Sequence, residues 1–326
     1  MSSGGSVILE ARGLTRRYPA GRQAETTGSV RAVEGVSLRI RERETLALVG
    51  ESGCGKSTTA RLLLGLEPPS AGEVRYRGRE LGALSAAEMR VFRRSVQLVF
   101  QDPFASLNPR LTVGSMLAEV LAVHELVPRA KRPERIAELL KLVGLDADAA
   151  SRYPHEFSGG QRQRIGVARA LAVEPELIVA DEPVSALDVS IQAQVLNLLA
   201  DLQARLGLSY LFIAHDLAVV RQVADRVAVM YGGRIVELAR VDELFARPLH
   251  PYTKALLAAV PSLRPPEARR RNADPSLPEG EVVDAPSFGC PFYPRCPSPA
   301  KDGECVAALP ALEERRAGRW VRCVKA

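Results

Sequence analysis

Gly50-Glu51-Ser52-Gly53-Cys54-Gly55-Lys56-Ser57 fits the spacing G-x-x-x-x-G-K-[ST]. An apolar strand pattern, TLALV, precedes it, and a helical pattern beginning with Ser57 and Thr58 follows. This context constrains the fold strongly. A strand must feed a tight glycine turn that opens onto a helix N-terminus, where backbone N–H groups point inward and the helix dipole favours an anion. Glycines allow the backbone to curl around a phosphate. Lys56 adds a point charge, and the Ser57 hydroxyl can ligate Mg²⁺. Cys54 reads as a small filler in the loop.

Further strand patterns occur at 36–40, 45–50, 96–100, 177–181 and 211–215. Helical patterns cover Ser57–Leu66, Ile136–Val143, Gln161–Ala172 and Ile191–Leu206. Strands alternating with helices predict an α/β fold with a largely parallel sheet covered on both faces. Residues 1–260 carry this alternation. The stretch from about 111 to 172 is helix-rich and longer than one crossover needs, so it reads as an inserted helical subdomain. VAVMYGGRIVELA, residues 227–239, predicts a hairpin around Gly232-Gly233. Residues 21–30 read as a loop with no assigned role.

A second strand pattern, LIVAD followed by Glu182, ends in two carboxylates, Asp181 and Glu182. Beside the phosphate-loop strand, Asp181 would lie near Mg²⁺, and Glu182 could polarise an attacking water. Ser158-Gly159-Gly160-Gln161 forms a helix N-cap with two glycines, a second cradle for an anion far along the chain. One nucleotide does not need two such cradles from one chain, whereas two chains facing head-to-tail would use both.

The ordered set of GESGCGKS, SGGQ, Asp181-Glu182, Ser185-Ala186-Leu187-Asp188 and His215 resembles the ATP-binding cassette (ABC) ATPases, over residues ~8–240. The resemblance implies a P-loop ABC-type nucleotide-binding domain over 1–260. It also implies roles for residues. Tyr18 would stack on adenine. Gly50, Ser52, Gly53, Cys54, Gly55, Lys56, Ser57 and Thr58 would hold the phosphates. Gln101 would sense Mg²⁺ and the transport partner, and Asp181 would join Ser57 and Gln101 around the metal. Ser158, Gly159, Gly160 and Gln161 would contact nucleotide held by the opposite subunit, with Asp188 at the dimer seam. Lys56, Gln101, Glu182 and His215 would carry catalysis. His124, His155 and His250 read as structural.

QDPFASLNPR (101–110), YPHEFS (153–158), PVSALDVS (183–190) and HPYTK (250–254) resemble the oligopeptide, dipeptide and nickel importer branch of that family. The implied activity is ATP hydrolysis that powers import of peptides or a similar small solute. The implied partners are a second, related cassette in a heterodimer, two transmembrane permeases and an extracytoplasmic solute-binding protein. The implied place is the cytoplasmic face of the inner membrane, held peripherally.

Charge and composition agree with this reading. No run of 18 apolar residues exists, and the N-terminus has no signal-peptide pattern, so a cytoplasmic protein is expected. The net charge of +6 permits an anionic partner without demanding one. The alternative is a soluble cassette acting on nucleic acid or the ribosome. A second cassette, a coiled coil or a zinc finger would favour it. The chain shows none of these, so no nucleic-acid partner is expected.

Composition shifts after Pro261. Residues 261–288 are rich in proline and charge, a linker signature, and 289–326 form a Cys-rich extension. Four of the chain's five cysteines lie there: Cys290, Cys296, Cys305 and Cys323. In a cytoplasmic protein, four thiols this close call for a metal before a disulfide. Zinc sites usually bring C-x₂₋₄-C pairs, which are absent, and longer gaps suit zinc or iron. The extension resembles that of the peptide importers, which implies a [4Fe–4S] cluster, with Zn²⁺ as the alternative.

Overall fold

The computed structural model describes residues 5–19, 29–102, 106–259 and 289–326; the expected linker at 261–288 and most of the 21–30 loop lie outside them. The chain falls into two compact units. One comprises residues 1–8, 40–44 and 83–213, the other 9–39, 45–82 and 214–326. In chain order the strands are β1 (Val7–Pro19), β2 (Ser29–Arg41), β3 (Thr45–Val49), β4 (Ala71–Tyr76), β5 (Arg79–Glu80), β6 (Val96–Val99), β7 (Leu177–Asp181), β8 (Ser209–Ala214), β9 (Arg226–Tyr231), β10 (Arg234–Arg240), β11 (Glu313–Arg316) and β12 (Arg319–Val321).

In the unit containing residues 83–213, β6, β7 and β8 run parallel, with Leu98 opposite Val179 and Val179 opposite Leu211. Every residue of β8 is buried, as is every residue of β7 except its terminal Asp181. Strands covered on both faces become unbroken apolar runs, which is why the sequence displayed them. Between β6 and β7, Val113–Val123, Arg132–Leu142 and Gly159–Leu171 are α-helices, and no strand interrupts them among the described residues. The helix predicted from Ile136 starts at Arg132 because Pro133 occupies its first turn, where a missing N–H costs nothing. The long helix Val189–Leu206 follows β7.

The other unit holds two sheets. One has the order β2-β1-β4-β5, with β1–β4 and β4–β5 antiparallel. The sequence reading missed β1, β4 and β5. The β1–β4 register slips between Arg12 and Thr15, and this irregularity destroys the period-two pattern that marks a strand. In the second sheet, strands follow the order β11-β12-β10-β9-β3. β3 and β9 are parallel, and β9–β10 is the predicted hairpin. The expectation of a largely parallel sheet therefore holds for β6–β8 and β3–β9, the hairpin adds β10 antiparallel as predicted, and the expectation fails for the antiparallel β1–β4 and β4–β5 pairs. The helix after the phosphate loop is Lys56–Leu63, shorter than the predicted span. Gly65 turns left-handed, at φ 64°, and Pro68-Pro69 follow, so the helix cannot continue to Leu66.

The C-terminal segment is part of this unit's sheet. β12 pairs with β10 through Glu237–Val321 and Leu238–Trp320. Glu237, 1% exposed, accepts the Leu249 and His250 N–H groups at 2.9 and 2.8 Å. Arg319 contacts the same carboxylate at 3.5 Å. A buried carboxylate needs such partners, and here they tie β10, the 249–250 turn and β12 together.

Candidate functional site

The Gly50–Ser57 loop has a backbone that only its glycines allow. A Cβ on Gly50 would lie 2.2 Å from the Met230 carbonyl oxygen, and one on Gly55 2.1 Å from that of Ala32. Gly55 also has φ 107°, so any side chain there is both strained and obstructed. Gly55 stands at the N-cap of Lys56–Leu63 with no side chain capping the first turn. The Lys56 side chain is buried, and its Nζ donates to the Gly50 and Glu51 carbonyls at 2.8 and 3.0 Å. Cys54 is buried, and burial pushes its thiol up to about 11, so it is protonated at neutral pH, as suits a packing residue.

The two carboxylates sit in the other unit. Asp181 ends β7 opposite Ile213, and the Glu182 N–H donates to the Ile213 carbonyl at 3.0 Å. Glu182 has φ 46°, a left-handed backbone that a non-glycine residue adopts at a cost of about 1–3 kcal/mol. This bend follows immediately after the strand end. Gln101 Nε2 donates to Glu182 Oε2 at 3.2 Å and reaches Ser185 Oγ at 3.5 Å, and Ser185 Oγ donates to the Glu182 carbonyl at 3.1 Å. The structure therefore brings Gln101, Glu182 and Ser185 together across more than 80 residues of sequence.

Ser158 caps the helix Gly159–Leu171 in a reciprocal box: its Oγ accepts the Gln161 N–H at 3.4 Å, and its own N–H donates to Gln161 Oε1 at 3.0 Å. Ser158 and Gln161 are exposed while Gly160 is buried; a Cβ there would stand 2.3 Å from Ile191 Cγ2. Asp188 is exposed and is the N-cap residue of Val189–Leu206. His215 is exposed just beyond β8, which removes the reading of a core histidine. Tyr18 is half-buried near the end of β1. Its hydroxyl donates to Glu67 at 2.5 Å, and the Arg16 guanidinium lies 4.9 Å from its ring centroid.

Sequence reasoning missed the support of the loop. The Glu51 N–H donates to the Tyr252 hydroxyl at 2.9 Å, and Arg295 forms a two-pronged pair with the Glu51 carboxylate. Phe292, Tyr231 and Tyr252 pack with centroids 4.6–5.3 Å apart, in tilted and edge-on arrangements that favour aromatic contact.

Cys290, Cys296, Cys305 and Cys323 all line one cavity, together with His250 and Lys254. Burial raises the thiols of Cys290, to about 11, and of Cys323. Among the described residues, no group of three or more His, Cys, Asp or Glu side chains is disposed to hold a metal ion. The expected cluster is thus not shown; a shared cavity is. The His250 ring is buried there. Its Nδ1 accepts the Tyr252 N–H at 3.1 Å, while Nε2 is buried without a hydrogen-bond partner.

Residues 33–185 match the family model for the ABC transporter, and residues 236–305 match that for the oligopeptide/dipeptide transporter C-terminal region. The chain is 53% identical over 322 residues to a protein of Sinorhizobium fredii described as a probable peptide ABC transporter ATP-binding protein, covering 97% of this chain and 89% of that one. It is 48% identical to an oligopeptide transport ATP-binding protein of Bacillus subtilis, with 97% of both chains covered. Among solved structures, a dimeric ATP-binding cassette in a post-hydrolysis state with ADP and phosphate superimposes with a TM-score of 0.62 at 30% identity, covering 72% of this chain and 99% of that one.

Proposed function

The chain belongs to the ABC transporter family of ATP-binding, ATP-hydrolysing proteins, and from that premise we propose that it powers import of peptides or similar small solutes. The observation that carries this reading is the near full-length likeness to peptide-transport ATP-binding proteins, C-terminal region included. Its partners are a second, related cassette, two membrane-spanning permeases and an external solute-binding protein. It sits peripherally on the cytoplasmic face of the membrane; no helix among the described residues is long and apolar enough to cross one. A soluble cassette acting on nucleic acid or the ribosome has no support among these relatives.

The proposed mechanism follows from the residues. The N-terminal amides of Lys56–Leu63 and the Lys56 ammonium bind the β- and γ-phosphates, and Tyr18 takes the adenine. Ser57, Gln101 and Asp181 offer only hard oxygen donors, a set that fits Mg²⁺. When bound, Mg²⁺ neutralises charge on the phosphates. Glu182 accepts a proton from the attacking water, held in place by Gln101, and His215 steadies the γ-phosphate. Ser158, Gly159, Gly160 and Gln161 meet the nucleotide of the facing cassette, with Asp188 at the seam. Phosphoryl transfer needs positioning and charge stabilisation more than covalent help, and this inventory supplies both.

A tagged chain extracted from membranes should bring down a second cassette and two multi-span proteins, and the complex should hydrolyse ATP faster when peptide-loaded binding protein is added. An ATPase that co-purifies with no membrane protein would overturn the transport reading.

Cys290, Cys296, Cys305 and Cys323 are the residues that would hold a [4Fe–4S] cluster of structural role, with Zn²⁺ the alternative. Support comes from the cavity they share and from Lys254, which lines it beside thiols that must lose protons to bind metal. Anaerobically purified protein should be brown and contain iron and sulfide, and Cys290→Ser should lose both. A colourless preparation with one zinc per chain would replace the cluster with the alternative.

A further inference from the structure

Glu51, the second residue of the phosphate loop, is held at all three of its polar groups. Tyr252 accepts its N–H at 2.9 Å, Lys56 donates to its carbonyl at 3.0 Å, and Arg295 grips its carboxylate. The Arg295 contact is bidentate: Nη1 to Oε2 at 2.8 Å and Nη2 to Oε1 at 3.0 Å. Fork-to-fork pairs of this kind are the strong, orienting form of the arginine–carboxylate bond. The pair is partly dry, with the Arg295 side chain 11% exposed and that of Glu51 29%. Arg295 ends the short turn Tyr293–Arg295, anchored by the buried Phe292 against Tyr231 and Tyr252.

The position of this carboxylate poses an electrostatic problem. A loop built to receive phosphate carries an anionic side chain one residue beyond Gly50. Left unpaired, that charge would repel the ligand and would also be left half-buried without compensation. We infer that Arg295 is a positioning residue for nucleotide binding: it neutralises Glu51 and fixes the loop, so that the C-terminal extension tunes the affinity of the phosphate site. The inference rests on the reading of this loop as the ATP site.

The test is equilibrium binding of the fluorescent nucleotide mant-ATP to the full chain, with steady-state ATPase kinetics alongside. Arg295→Ala should raise Kd and KM for nucleotide roughly three- to tenfold while kcat stays within about twofold, and the defect should shrink in 0.5 M salt. Arg295→Lys keeps the charge without the fork and should fall between. The Glu51→Gln, Arg295→Ala double variant should return to near wild-type affinity, because no unpaired charge remains. Glu51→Gln alone should tighten binding up to about threefold, which keeps the proposal testable if Arg295→Ala fails to fold. Wild-type affinity in Arg295→Ala, or a double variant as weak as Arg295→Ala, would overturn the proposal. So would weaker binding by Glu51→Gln. Failure of the wild-type chain to bind mant-ATP would instead remove the premise.

Discussion

Glu182→Gln is expected to lower the ATPase kcat by about 10²–10⁴-fold, the usual contribution of a general base, while leaving nucleotide binding intact. The substitution is nearly isosteric. The glutamine carbonyl can still accept from Gln101 Nε2, which now lies 3.2 Å from Glu182 Oε2, and the bend at φ 46° needs no change. What disappears is the capacity to take a proton from water. ATP-bound cassette pairs should therefore accumulate, visible as a larger species in gel filtration with ATP and Mg²⁺. A variant that hydrolyses ATP within about tenfold of wild type would assign the base elsewhere.

Lys56→Ala should act at an earlier step. Lys56 is only 4% exposed, and its ammonium is already organised by the Gly50 and Glu51 carbonyls. Its charge-assisted bonds to phosphate are each worth about 1.5–3 kcal/mol, so nucleotide affinity should fall about a hundredfold or more. The deletion also leaves two loop carbonyls without their donor, so the nucleotide-free protein should lose about 1–3 kcal/mol of stability. Mant-ATP titration and thermal melting measure the two effects separately. Wild-type affinity in this variant would contradict the assignment of the phosphate site.

The loop and the strand ends were legible because each is a contiguous stretch. TLALV, LIVAD and LFIA are buried throughout or nearly so, and burial on both faces leaves an unbroken apolar run that needs no partner to be recognised. The Ser158 cap was legible for the same reason, since its box closes within four residues. β1 was not, because its irregular register hides the alternation, and β11 and β12 are too short and polar to stand out. The Cys-rich segment was visible as a composition, but its role in extending the β9–β10 sheet through β12 was not.

By itself, the sequence determined the glycine turn that opens the Lys56 helix, the two carboxylates at the end of β7, the helix-rich stretch between β6 and β7 and the alternating strand–helix order, because each is written in spacings that local backbone geometry enforces. Only the tertiary structure decided that Gln101 meets Glu182, that Tyr252 and Arg295 brace Glu51, and that four distant thiols share one cavity. Arg295 and Glu51 are 244 residues apart. No spacing rule links them. The aromatic packing of Phe292 against Tyr231 and Tyr252 joins the two segments, and it is decided by which surfaces bury each other once the chain is folded.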